Sequence, residues 1–448
     1  MTPAAKTTDS DRSLRILIVS HDFPPLNSSA SRRPFSWARA WTDLGHDVHV
    51  LTTAKYRHDR LTDGGQDMSG FMVHSVAYLP GVVPVAGVAP RAGSDALPVA
   101  APQGSGVWFD GLRRLTRRMR LGLGLFTEKT SLAYFPMRRA GAALLAGRRF
   151  DLVVSTSGPD VCPLGAGALA SRFKIFWVSD YRDLWFDEFA VNRYAFTTWC
   201  VHRLQSRLLK QADLVSTVSE GLASYLEPLA PGKVTVCYNG FLEPVPTPGA
   251  RVRRSGCIVY TGTFYPGKRD PRMFFEGLRI LLARRPSLGG VLKVGLFGPA
   301  EEWVREQVHA NDLESIVELH GSVAYAASID AQRDAAMLLF IDWMDDRAEG
   351  VLTGKLFEYL ASGVPILCVG SRADTEAARM IGSCRAGLVA VSAEDVASRL
   401  ESWLDGQWSD VTNAQLVLGF SRRAQAVNLL RAARTRIAVG NSPAGRRL

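Results

Sequence analysis

Three short stretches carry residue types that could do chemistry, and each follows an apolar run of strand character. The first is Thr353-Gly354-Lys355-Leu356-Phe357-Glu358. Thr353 is a good helix N-cap and Gly363 a good C-terminal cap, so the spacing predicts a short helix whose amide-rich positive end points back at the preceding strand. Lys355 in the first turn opposes the helix dipole, which makes sense if an anion such as a diphosphate neutralises both. Glu358, one turn on, could accept hydrogen bonds from ribose hydroxyls. An ordinary capped helix with surface charges would read the same way. The second stretch is Thr261-Gly262-Thr263-Phe264-Tyr265-Pro266-Gly267-Lys268-Arg269-Asp270, where Lys268 and Arg269 are either anion ligands or solvated loop cations. The third is Asp180-Tyr181-Arg182-Asp183-Leu184-Trp185, expected after a strand ending at Val178. There Asp183 either orients a hydroxyl substrate or pairs structurally with Arg182. In open α/β sheets ligands gather beyond the carboxyl ends of strands, which is where all three fall. His21 and Asp22, beside Pro24-Pro25 and Ser28-Ser29, sit at the end of the first predicted strand. Asp342-x-x-Asp345-Asp346 invites a metal reading, but carboxylates in a polar loop are usually solvated, and no metal or other cofactor is expected.

The elements that must position these residues come from two α/β domains. A chain of 448 residues exceeds one ordinary core. With 47% hydrophobic and 21% charged residues it can bury two, which excludes general disorder. The six cysteines include no CxxC pair, against a disulfide framework or structural zinc site and in keeping with a reducing cytoplasm. The first residues lack an apolar signal-peptide core, and no apolar run reaches membrane-spanning length, so a cytoplasmic protein is expected. A formal charge of +10 means attraction to something anionic: nucleic acid, a phosphorylated substrate or an acidic lipid surface. The nearest concentration is Arg113, Arg114, Arg117, Arg118 and Arg120, flanking Leu112, Leu115 and Met119. On a helix this is either a basic amphipathic surface that lies on an anionic membrane or a solvated face. No nucleic-acid module accompanies the charge.

Leu14–Ser20 reads as a buried parallel strand, followed by a helix with Phe35, Ala38, Trp41 and Leu44 on one side, a cap at Gly45 and a second strand at Val48–Leu51. Further strands are expected at 151–155, 174–178, 214–218 and 233–237, then at 257–260, 292–296, 316–319, 337–341 and 365–369. Glu243-Pro-Val-Pro-Thr-Pro-Gly249 is the strongest linker, because proline lacks an amide donor. The expected organisation is a disordered start (1–13), an N-terminal Rossmann-like domain (14–242) with an inserted loop at about 79–106, and a linker (243–252). A second Rossmann-like domain (253–415), a C-terminal helix (416–438) packing back on the first domain and a disordered tail (439–448) follow.

Gly354-Lys-Leu-Phe-Glu-Tyr-Leu-Ala-Ser-Gly-Val-Pro-Ile-Leu367 resembles the C-terminal signature of the retaining family 4 glycosyltransferases. The likeness extends over most of the chain. Pro24 to Thr52 is similar to the family's opening loop and first helix, with its Gly-His-Asp-Val turn, and Leu214-Val-Ser-Thr-Val-Ser-Glu220, Tyr238-Asn239-Gly240 and Tyr260-Thr261-Gly262 fall in the family's order. The Arg-Asp-x-Trp form at Arg182 resembles a branch that assembles bacterial surface polysaccharides.

The resemblance implies the GT-B architecture, two doubly wound α/β domains facing a cleft. It implies transfer of a sugar, with retention and without metal, from a nucleoside diphosphate sugar to a lipid-linked or growing glycan acceptor at the inner face of the cytoplasmic membrane. Donor contacts would come from Gly262, Thr263, Arg269, Thr353, Gly354, Leu356 and Glu358. Lys268, Lys355, Arg182 and Asp183 would act at the reacting centre, and His21, Asp22, Ser28 and Ser29 would form the acceptor-side loop. The sequence departs from the pattern at Thr263, where many members carry arginine, and at Gly350, where the first of two spaced glutamates would fall: either Glu349, one residue away, reaches the donor sugar or that contact is absent. A sugar-nucleotide 2-epimerase of the same architecture and a non-catalytic nucleotide-binding scaffold are the rival readings.

Overall fold

The computed structural model describes residues 12–57, 59, 61, 66–85, 129–183, 195–242, 256–299, 301–344, 350, 352–407 and 412–441. The chain divides into two compact units, one made of Met1–Val218, Leu222–Cys237 and Ala426–Leu448, the other of Ser219–Gly221 and Tyr238–Gln425.

The first unit is a seven-stranded parallel sheet in the order β3-β2-β1-β4-β5-β6-β7. Its strands are β1 (Arg15–Val19), β2 (Asp47–Thr53), β3 (Met72–Val76), β4 (Leu152–Thr156), β5 (Phe176–Tyr181), β6 (Leu214–Thr217) and β7 (Val234–Val236). Helices α1 (Ser29–Asp43), α2 (Tyr134–Gly147), α3 (Val161–Phe173), α4 (Ala195–Gln211) and the short α5 (Glu220–Leu226) lie between them in sequence. β1 is apolar on both faces because both are covered. Leu17 and Val19 belong to a core with α2 and α3, while Ile16 and Ile18 join Trp37 and Trp41 of α1 in a second. Alternating side chains point to opposite faces, so one strand nucleates two layers. Ser28 caps α1 by accepting the Ser31 amide at 3.1 Å. The helix stops in a Schellman turn, with His46 N donating to the Trp41 carbonyl at 3.0 Å and Gly45 at φ +82°, a conformation that costs glycine nothing.

The second unit is a six-stranded parallel sheet in the order β10-β9-β8-β11-β12-β13. Its strands are β8 (Cys257–Thr261), β9 (Lys293–Phe297), β10 (Val317–Gly321), β11 (Met337–Ile341), β12 (Ile366–Val369) and β13 (Gly387–Ala390). The helices are α6 (Arg272–Arg284), α7 (Glu302–Ala310), α8 (Tyr325–Asp334), α9 (Gly354–Ser362), α10 (Glu376–Ser383), α11 (Ala393–Leu404) and α12 (Ala414–Gly419), and α13 (Arg422–Asn441) starts here but belongs to the first unit from Ala426. Leu339 and Ile341 of β11 point into one core, Leu338 and Phe340 into the other.

Several boundaries differ from the sequence reading. β3 and β13 are edge strands of five and four residues without a long apolar run, so they left no signal. β5 runs three residues past Val178, to Tyr181. The changeover between units falls at Cys237–Tyr238, ahead of the proline-rich stretch, whose residues 243–252 lie outside the described ones. Proline marks where regular hydrogen bonding must stop, whereas the unit boundary follows packing. In place of one helix at 416–438 there are α12 and α13, and α13 joins the first unit from Ala426 onward. There Leu429, Leu430 and Ala433 are buried and Trp41 Nε1 donates to the Ala426 carbonyl at 2.9 Å.

Candidate functional site

In the first unit the strand order reverses direction at β1 and β4, and connections leave their carboxyl ends toward opposite sides. Such a switch point opens a crevice in any doubly wound sheet. Asp22 follows β1, Ser157 and Gly158 follow β4, and Arg182 follows β5. Arg182 gathers all three segments. Its Nη2 donates to Asp22 Oδ2 at 3.1 Å, to the Ser157 carbonyl at 2.8 Å and to the Gly158 carbonyl at 3.1 Å, and its Nε donates to Ser157 O at 3.1 Å. Gly158 is required by this approach, since its φ is +81° and a Cβ there would lie 2.6 Å from Arg182 Nη2. Burial raises the Asp22 carboxyl pKa, with Arg182 pulling the other way.

Beneath this loop lies Lys55, 1% exposed, a residue the sequence reading did not single out. Its Nζ donates to the carbonyls of His21 (2.5 Å) and Thr53 (3.0 Å). Burial pushes its pKa down to about 8, with Asp22 opposing. His21 is held by Thr53 Oγ1 at 2.6 Å from its Nδ1, and burial, then Lys55, pushes its pKa down to about 3. The imidazole is therefore neutral at pH 7 and lies well below the range of an efficient general base. Ser28 spends its hydroxyl as the α1 cap and Ser29 is the first residue of that helix.

Two expectations about the third stretch change. Asp180 belongs to β5 and is fully buried, accepting Arg33 Nη2 and Nε at 2.7 and 3.0 Å and Ser216 Oγ at 2.7 Å. Burial opposes the Arg33 charge, and Asp180 more than offsets it, so the Arg33 pKa rises. Arg182 pairs with Asp22, not with Asp183, because extending β5 to Tyr181 carries the arginine toward the β1 and β4 loops. Asp183 is exposed; Leu184 and Trp185 lie outside the described residues.

In the second unit the switch point lies between β8 and β11. After β8, the Gly262–Asp270 loop folds back on itself, with Tyr265 and Arg269 exchanging backbone bonds at 2.9 and 3.0 Å. It is tied to the loop after β11 by Met344 N donating to the Lys268 carbonyl at 2.7 Å. Lys268 Nζ and Arg269 Cζ lie 5.4 and 5.5 Å from the centre of the Trp343 ring, so the indole gathers both cations by cation–π attraction. Trp343 precedes Asp345 in the supposed acidic motif and gave no signal in the sequence. Asp342 is spent structurally, accepting Trp343 N at 2.8 Å and Thr375 Oγ1 at 2.6 Å. Burial raises its pKa. Asp345 and Asp346 lie outside the described residues. Among those described, no group of three or more His, Cys, Asp or Glu side chains is arranged to hold a metal.

Gly262 is approached by the backbone of Gly298, where a Cβ would meet the Gly262 carbonyl oxygen at 1.8 Å. β11 pairs with β8 only through Ile258 and Val259, which leaves the Thr261 amide beyond the ladder. Tyr359 supplies the missing acceptor at 2.8 Å, and Gln332 Nε2 donates to Thr261 Oγ1 at 3.0 Å. This network fixes the strand end that presents Gly262 and Thr263, and the Thr263 carbonyl is held by Tyr260 OH at 3.0 Å.

Thr353 occupies the N-cap of α9 with extended backbone, but its hydroxyl makes no capping bond. Gly363 closes the helix at φ +65°. Leu356 is fully buried, so only its backbone could face a ligand. Lys355 Nζ lies 2.9 Å from Glu358 Oε2, and Tyr325 OH donates to the other carboxylate oxygen at 3.3 Å. Thus Lys355, Glu358 and the open first turn of α9 form one charged cluster. Glu349 lies outside the described residues, as do Arg113, Arg114, Arg117, Arg118 and Arg120. None of the described helices is long and apolar enough to cross a membrane.

Residues 30–240 match the family model of a glycosyl transferase 4-like domain. Among solved structures, the trehalose-6-phosphate phosphatase N-terminal domain of Candida albicans aligns with a TM-score of 0.57 at 12% identity, over 97% of this chain and 99% of that one. The Anabaena protein HepE in complex with UDP aligns with a TM-score of 0.56 at 12% identity, over 94% and 100%. The α,α-trehalose 6-phosphate synthase of Burkholderia multivorans gives 0.54 at 11% identity, over 96% and 100%. No curated protein matches the sequence significantly. At these identities the likeness concerns the fold: two parallel α/β units of the GT-B type.

Proposed function

We propose that this chain is a metal-independent retaining glycosyltransferase that moves a sugar from a nucleoside diphosphate sugar to a lipid-linked or growing glycan acceptor in cell-surface polysaccharide assembly. The observation that carries the reading is the Lys355–Glu358 pair at the open amino end of α9, in a chain of GT-B fold whose residues 30–240 match a glycosyl transferase 4-like domain. Lys355, Lys268, Arg269 and the α9 amides would stabilise the departing diphosphate, which is the main electrostatic demand when a sugar leaves. Glu358 would accept the ribose hydroxyls, and the backbones of Gly262, Thr263, Thr353, Gly354 and Leu356 would shape the donor pocket. Glu349 would touch the donor sugar. Arg182 and Asp183 would act beside the transferred sugar and acceptor, next to the His21–Ser29 segment. HepE, of the same fold, is described with UDP, which supports a nucleoside diphosphate as the ligand class.

A thermal-shift panel of nucleoside diphosphates and their sugars tests this, because a bound donor raises the melting temperature by mass action. One base and sugar should stand out, and Lys355→Ala and Glu358→Ala should each abolish the shift and the turnover. If both variants bind and turn over donor as the parent does, the site is wrongly placed. Turnover that releases an isomerised donor without any acceptor would indicate an epimerase, and binding without turnover a scaffold. Peripheral attachment to the membrane through Arg113–Arg120 belongs to the same proposal. It predicts flotation with anionic liposomes at low salt, lost when those arginines are neutralised.

A further inference from the structure

At the end of the first unit's sheet opposite Arg182 lies a groove of about 2410 Å³. Its floor is the amino ends of β1, β4 and β5, and its walls are the last turns of α2 and α3 and α13 between Val427 and Val439. Eight lysine and arginine side chains line it against two carboxylates, Asp151 and Asp213. Only part of that charge is locally neutralised. Arg12 pairs with Asp151 at 2.8 Å, but Arg434 Nη2 donates to the Arg12 carbonyl at 2.7 Å, Lys233 Nζ to the Ala212 carbonyl at 2.8 Å and Arg436 to the Gly232 carbonyl. These bonds fix the side chains and leave their charges in place. Arg148 and Lys174 directly follow α2 and α3, where helix dipoles favour cations. That accounts for those two and not for Arg431, Arg434 and Arg436 along α13. The positive field reaches His46, whose pKa is lowered by burial and then by Arg434.

Apolar residues also line the groove: Leu14 and Leu430 are buried in the core, whereas Leu44 at the end of α1 is 44% and Val439 of α13 63% exposed. Small-molecule pockets are roughly 300–1,000 Å³, so this groove is sized for a polymer segment. An α-helix is about 10–12 Å across and so fills roughly 80–110 Å³ per Å of length. The groove volume then corresponds to roughly 20–30 Å of helix, or about 15–20 residues. A concave shape does not fit a planar bilayer, and nucleic acid or an acidic glycan would leave the exposed Leu44 and Val439 unused. We propose that the groove along α13 docks an amphipathic helix of a partner protein, with its acidic side chains on the arginine rim and its apolar side on the exposed Leu44 and Val439. This is independent of the donor-site reading and lies at the other end of the sheet from Arg182.

Fluorescence anisotropy on the full chain can test it with a labelled 18-residue peptide carrying leucine on one helical face and glutamate on the other. Micromolar binding is expected, weakened at least tenfold by Arg148→Glu with Lys174→Glu and separately by Leu44→Ser with Val439→Ser, with melting temperatures unchanged. The apolar pair keeps the test decisive should the charge reversals unfold the protein. Equal binding by a scrambled peptide or by oligoglutamate would overturn the proposal in favour of plain charge attraction. Binding of phosphatidylglycerol vesicles with the same sensitivity would make the groove a lipid site. A concentration-dependent dimer broken by the same variants would give it to a second copy of the chain. No peptide binding, or binding unaffected by either variant pair, would end it.

Discussion

Arg182 Nη2 lies 3.1 Å from Asp22 Oδ2 while also donating to the Ser157 and Gly158 carbonyls, so a single guanidinium locks together the segments that follow β1, β4 and β5. Replacing it by alanine should lower kcat by roughly 10²–10³. Lysine should recover little, because a point charge cannot use both Nε and Nη2 positions. Steady-state turnover at saturating donor is the measurement, with the donor-induced thermal shift as control. That shift should persist, since the Lys355–Glu358 cluster belongs to the other unit.

The Arg33–Asp180 pair is 4% and 0% exposed at its side chains, so removing one partner strands a buried charge. Asp180→Asn or Arg33→Met is expected to cost about 3–5 kcal/mol, read as a large drop in thermal or urea midpoint. Replacing both together by apolar residues should cost less than either single change.

Gly298→Ala places a Cβ 1.8 Å from the Gly262 carbonyl oxygen, an overlap that only a backbone shift can relieve. Donor affinity should fall by at least about tenfold, since misplacement by about 1 Å is costly in a preorganised site. Gly289→Ala, with nothing within 4 Å, is the matched control and should be silent in calorimetric titration with donor.

Tyr359→Phe removes the acceptor of the Thr261 amide at the point where the β8–β11 ladder has ended. Leaving a buried amide unpaired should cost about 1–3 kcal/mol. The measurable outcome is a lower melting temperature with weaker donor binding, whereas a pure packing role would lower the melting temperature alone.

Burial lowers the pKa of His21 to about 3 and of His74 to about 4, and lowers that of His49 as well. The His21 and His74 rings stay neutral in the folded protein at pH 5 and above, while the unfolded chain takes up protons below 6.5. The unfolded state then binds more protons, so their contribution to stability is present above about 6.5 and is lost as pH falls toward the folded values. Asp22, with its pKa raised by burial, contributes the opposite sign at the acid end. Melting temperature should therefore decline from pH 7 to pH 5, and His74→Gln should decline less steeply. Lys55 acts in the same sense on the alkaline side, regaining stability between about 8 and 10.5.

By itself the sequence determined what local rules encode. Apolar runs such as Leu14–Val19 and Met337–Ile341 marked central parallel strands, because both faces of such strands are covered. Gly45 and Gly363 marked helix ends, because only glycine takes positive φ there at no cost. The order of weak motifs indicated GT-B, the fold that the structure displays. Tertiary structure alone decided which partners those residues meet. It turned Asp180 and Asp342 from loop carboxylates into buried structural acceptors, paired Arg182 with Asp22 across 160 residues and brought Trp343 against Lys268 and Arg269. It also revealed Lys55, Tyr359 and Gly298, for which sequence spacing had no signal. The physical reason is that strand and cap propensities depend on a residue and its near neighbours, whereas burial, ion pairing and backbone approach depend on the register of strands far apart in the chain.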